Sequence, residues 1–87
     1  MKFNDLYFDS ENRYALGIES VSGQNYFSIP VSNGLVDYEE RYALTADQAR
    51  NFRHDKEAAI VFKDACCRRE HDDLLLQGPG RNRGIPV

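Results

Sequence analysis

Lys63, Cys67 and His71 recur every four residues, so on a single helix they would stack on one face. A cation and an imidazole beside a thiol lower its pKa, and such a thiol can act as a nucleophile. The constellation is isolated, however: no oxyanion donor accompanies it, and charged residues opposite Phe62 are what any solvated helix face carries. His71-Asp72-Asp73 and Cys66-Cys67 contain metal-capable ligands. Adjacent cysteines point about 100 degrees apart on a helix, and the CxxC spacing of structural zinc sites is missing. The chain has no G-x-S-x-G, HExxH or G-x-G-x-x-G motif. A protein without metal, cofactor or catalytic set is the expectation, and a small Cys/His enzyme is the least supported alternative.

The segment Gly78-Pro79-Gly80-Arg81-Asn82-Arg83-Gly84 resembles a phosphate cradle only superficially. A P-loop needs Gly-Lys followed by Ser or Thr, and Pro79 removes one of the N–H groups such a loop would use. Arg81 and Arg83 could still clamp a phosphate bidentately, together with Arg68 and Arg69 on the second helix. That defines a second function class, binding of nucleic acid or nucleotide phosphate.

The third constellation is acidic and aromatic. Residues 1 to 44 hold three Lys/Arg and seven Asp/Glu, whereas 45 to 87 hold eight and seven, so the charges are −4 and +1 and the total is −3. All five tyrosines fall in the acidic part. Tyrosine supplies amphipathic contact area at low entropic cost, and surrounding acids steer a basic partner. Glu19, Tyr26, Asp37 and Glu39 share the outer parity of their strands and make the candidate partner-binding patch. This favours a small acidic, non-enzymatic protein-binding module: an inhibitor, immunity-type or antitoxin-type partner of a basic protein.

The elements that carry these residues follow from periodicity. Up to Leu44 the apolar residues alternate with period two, and from Thr45 the period is about 3.6. Strands are expected at Leu6 to Phe8, Tyr14 to Val21, Gln24 to Val31 and Leu35 to Leu44, separated by turn residues at 9–12, at Ser22-Gly23 and at Asn33-Gly34. Asn33-Gly34 suits a two-residue hairpin loop with positive φ at both positions. Val36, Tyr38, Glu40, Tyr42 and Leu44 define the core face of the fourth strand. Glu40 is the odd member, and must lie at a rim, find a cation or protonate.

Thr45 and Gln48 have capping-box spacing, and Asp55 is the N-cap candidate of a second helix over Lys56 to Arg69. Ala58, Ala59, Ala65 and Cys66 surround Phe62 on its inner face, leaving Ile60 and Cys67 on the far side. Leu74-Leu75-Leu76 reads as a fifth strand or a docked extended segment, and 78–87 as a Gly/Pro/Arg-rich tail. The expected architecture is α+β: one domain over 1–77, a four-stranded antiparallel meander with a candidate fifth C-terminal strand and two helices on one face. An unpaired sheet edge with Ile60 and Cys67 also makes a homo-oligomer compatible with any of these functions.

Eighty-seven residues, 41% hydrophobic and 29% charged, make an ordinary globular composition with a small core. The acidic balance disfavours generic nucleic-acid binding. The apolar runs are too short for a membrane span or a signal peptide, and adjacent cysteines offer no disulfide framework. A cytoplasmic protein without membrane attachment is the expectation.

Overall fold

The computed structural model describes residues 1–79 and 82–87 and has an α+β fold. β1 (Phe3–Asp9), β2 (Tyr14–Glu19), β3 (Gln24–Ser32) and β4 (Asp37–Leu44) form an antiparallel meander in the order 1-2-3-4. Two helices follow, α1 (Ala46–His54) and α2 (Lys56–Cys67), and then a 3₁₀ turn at Asp72–Leu74. A two-residue β5 (Ile85–Pro86) pairs with Val31 and Ser32 of β3.

The core lies between one sheet face and the helices. Phe27 occupies its centre, stacked on Tyr14 at 5.0 Å between ring centroids and met edge-on by Phe62 at 5.0 Å and Phe52 at 5.8 Å. The inner parities of β3 and β4 supply Phe27, Ile29, Val31, Tyr42 and Leu44, all buried. Ala59, Phe62, Ala65 and Cys66 form the buried face of α2, where small side chains bring the helix close to the sheet. Ile60 is half-buried on the other side, and Cys67 packs against the core margin.

Local chemistry fixes the helix ends. The Thr45 hydroxyl accepts from the Gln48 amide at 3.1 Å while the Gln48 side chain accepts from the Thr45 amide at 2.9 Å, a complete capping box. Asp55 accepts from the Ala58 amide to start α2. That helix stops at Cys67, two residues short of the expected Arg69. The Glu70 amide reaches back to the Ala65 carbonyl and the Arg69 amide to that of Cys66, which is a Schellman closure. Arg69 takes the left-handed position, φ 63°, where glycine is usual.

One turn also differs from expectation. The β3–β4 hairpin is centred one residue later, because Asn33 pairs with Val36 and leaves Gly34 and Leu35 at the tip. Only Gly34 has positive φ, and the Asn33 carboxamide accepts from the Leu35 and Val36 amides instead. Val36 therefore falls outside β4 and is 57% exposed, away from the core face expected for it.

The fifth strand is not at Leu74-Leu75-Leu76. Those residues dock along the free edge of β4, where Leu75 bridges Tyr42 and the Leu76 amide donates to the Arg41 carbonyl at 2.8 Å. β5 lies on the side of β3 opposite β4. Gly84 sits so close to Ser32 that a Cβ there would lie 2.6 Å from its carbonyl carbon and oxygen. Its amide donates to the Tyr38 hydroxyl at 2.6 Å. No helix among the described residues is long and apolar enough to cross a membrane.

Candidate functional site

The helices cover only one face of the sheet, so the outer face is where the expected patch must be sought. On it Phe3, Asp5 and Phe8 of β1 lie beside Ala15 and Gly17 of β2, followed by Tyr26 and Ser28 of β3 and Glu39, Arg41 and Ala43 of β4.

Tyr26, expected to be a solvated contact residue, is fully buried on this face. Its direct cross-strand partner is Gly17, whose missing side chain leaves room for the ring. Phe3 meets it edge-on at 5.5 Å, and the Arg41 guanidinium lies 4.0 Å above Phe3 and 5.7 Å from the Tyr26 ring. The Tyr26 hydroxyl donates to Asp5 at 2.6 Å, and burial followed by that carboxylate pushes its pKa well up. The pairing of Gly17 with Tyr26 was the available sequence signal, but reading it requires the register.

Glu19 is likewise engaged internally and only 4% exposed. Its carboxylate accepts from the Ser22 hydroxyl and from the amides of Lys2, Val21 and Ser22, all at 2.7–2.9 Å. The Ser22 hydroxyl is the main cause of a pKa lowered from 4.5 to about 2, with the amide bonds of Lys2 and Val21 next. A carboxyl group depressed on folding contributes stability that is fully present above its unfolded value and lost as pH falls through the folded one. Acid titration followed by circular dichroism should therefore show Glu19→Gln removing part of the stability loss between pH 4.5 and about 2. An unchanged profile would assign that loss to other carboxylates.

The remaining two patch residues stay on the outer face. Asp37 is exposed at the start of β4. Glu39 is half-buried, and its Oε2 is shielded from solvent without a hydrogen-bond partner among the described residues. Desolvation raises its pKa and Asp5 adds to the shift, whereas Arg41 and the neighbouring Ser28 hydroxyl oppose it. The Ser28 hydroxyl and Arg41 Nε are shielded on the same face beside it. A cleft of about 120 Å³ opens beside Glu39, between β4 and the 77–79 segment.

Two of the arginines of the alternative site, Arg83 and Arg68, are engaged by carboxylates of this chain. Arg83 donates to Glu40 through Nε at 2.8 Å and Nη2 at 3.1 Å, and to Asp72 through Nη1 and Nη2, both at 2.8 Å. Four of its five N–H groups are thus engaged by carboxylates. This is how the chain accommodates Glu40, which is 7% exposed and also accepts from the Tyr42 hydroxyl at 2.9 Å. Arg68 pairs with Glu70 at 2.7 Å and Arg69 closes the α2 terminus. Arg81 lies outside the described residues.

The Lys63, Cys67 and His71 alignment is broken because α2 ends at Cys67. The His71 ring stacks on Phe62 at 4.7 Å and 15°. Burial raises the Cys67 pKa against the opposing effect of Lys63, the reverse of an activated thiol. Cys66 is deeper still, and burial pushes it up to about 12. Among the described residues, no three His, Cys, Asp or Glu side chains are grouped to hold a metal ion.

Comparison with known protein families, with curated proteins and with solved structures gave no match. The reading of the site rests on its own geometry.

Proposed function

We propose that this chain is a non-enzymatic protein-binding module whose open sheet face receives a basic partner, in the manner of an inhibitor, immunity-type or antitoxin-type protein. Glu39 carries the reading. A half-buried, desolvated carboxylate beside a cleft at the β4 edge gains a counter-charge when a lysine or arginine side chain enters. The cleft has room for the end of one such side chain. Asp37 and Asp5 extend the negative field, and Phe8, 61% exposed on the same face, supplies apolar contact. Because the ionised form of Glu39 is the one a cation stabilises, affinity should rise with pH through its elevated pKa. The reading places the protein in the cytoplasm, to which its two free thiols are suited.

The test compares recovery of proteins from the native cells by the wild-type chain and by the double variant Asp37→Lys, Glu39→Lys. A basic protein retained near stoichiometry by the wild type and lost with the variant supports the reading, and its association should slow with salt. Equal recovery by both removes this face from consideration.

A further inference from the structure

A second surface lies on the helical side of the molecule. Register between β1 and β2 slips between Asp5 and Tyr7, which makes Leu6 the extra residue of a bulge and leaves it 58% exposed. Leu6 lines a groove of about 240 Å³ together with Leu16 and Gly17 of β2. α1 contributes Ala49, Arg50 and Arg53 to the same lining. The volume is below that of a drug-sized pocket and matches a single large side chain. Among the described residues Arg50 pairs with Asp47 alone, in an exposed i,i+3 pair that a second carboxylate can displace at little cost. Arg53 has no carboxylate within 4 Å among the described residues.

A groove lined by apolar residues and two arginines, in a chain of net charge −3, selects its occupant by charge. We propose that this groove binds an extended peptide segment of another protein, one that seats an apolar side chain against Leu6 and Leu16 and places a carboxylate two residues away on Arg50 and Arg53. That spacing keeps both side chains on one face of an extended chain. Among the described residues the free edge of β1 pairs with no other strand, so backbone groups are available there too. The bulge interrupts that edge, so the side chains rather than a long backbone ladder hold the segment. A second copy of this chain is disfavoured, because two-fold pairing of the β1 edges would turn like-charged arginine rims toward each other.

The probe is a heptapeptide of serine and glycine carrying one leucine and, two residues on, one glutamate. It is titrated into the labelled full-length protein and followed by amide chemical shifts, beside peptides with glutamine or lysine in place of glutamate. Shifts centred on Leu6, Gly17, Asn25 and Ala49, with binding weakened about fivefold or more by glutamine and further by lysine, support the proposal. The double variant Arg50→Glu, Arg53→Glu should reverse the preference toward the lysine peptide. Equal affinity for the three peptides, shifts centred elsewhere or no shifts at millimolar peptide would overturn it. So would concentration-dependent shifts of the β1 amides without peptide, which would give the edge to a second copy.

Discussion

Replacing Arg83 with alanine is expected to destabilise the fold by about 3 to 5 kcal/mol, the usual cost of breaking a buried ion pair from one side. The guanidinium is 13% exposed and Glu40 7%, so the variant leaves a carboxylate on the core face without its cation. It also removes the tie to the Asp72 carboxylate of the 3₁₀ turn and withdraws the anchor next to Gly84, so β5 should detach from Val31 and Ser32. Urea unfolding measures the loss, and amide exchange at Val31 and Ser32 reports the strand. The pair is not itself a large net gain, because both charges must be desolvated to form it. Converting Glu40→Leu and Arg83→Met together should consequently recover much of the stability. Recovery should become more complete with Tyr42→Phe, since the buried Tyr42 hydroxyl would otherwise lose its acceptor. A single variant Arg83→Ala within about 0.5 kcal/mol of wild type, the range of ordinary surface changes, would show that the C-terminal segment does not hold the core.

Gly17→Ala should cost about 3 kcal/mol, at the upper end of the range for overpacking. A Cβ at this position would overlap the Asn4 carbonyl oxygen and the Tyr26 hydroxyl and lie 2.5 Å from the Tyr26 Cζ. The Asn4 contact is with backbone inside the β1–β2 ladder and cannot be relieved by a rotamer change. Tyr26 could move only by giving up its hydrogen bond to Asp5 and its edge contact with Phe3. Thermal unfolding measures the cost, and the double variant Gly17→Ala, Tyr26→Ala tests its origin. If the ring were the whole obstacle, the double variant would be no less stable than Tyr26→Ala alone. A further loss beyond that single variant assigns the remainder to the strand ladder, and full tolerance of Gly17→Ala would contradict the close approach of β1 and Tyr26.

The outer face shows why the candidate patch could be read only in part. Strand parity assigned Glu19, Tyr26, Asp37 and Glu39 to one side of the sheet, and they lie there. Parity does not tell which of them already has a partner. Glu19 is spent on a turn whose donors are nearby in sequence, so local reasoning about Ser22 could have found it. Tyr26 is covered by Phe3, Gly17 and Arg41 from three other strands, and that combination becomes visible only when the register is known.

The alternation of apolar residues, the switch of period at Thr45, the capping box and the Asp55 cap all act within a few residues, and the chain encodes them directly in its order. By itself the sequence therefore determined the α+β class, the four-stranded meander and the two helices on one face. Tertiary structure decided what depends on contacts between distant segments. Glu40 and Arg83 are 43 residues apart, and nothing in either neighbourhood specifies the other. The short β5 has no pattern of its own and exists because Gly84 admits close approach to Ser32 while Arg83 finds two carboxylates. Periodicity and capping are short-range properties that a linear chain displays. The partner of a buried charge, the cover over a glycine and the single desolvated oxygen of Glu39 are set by which surfaces meet when the sheet closes on its helices.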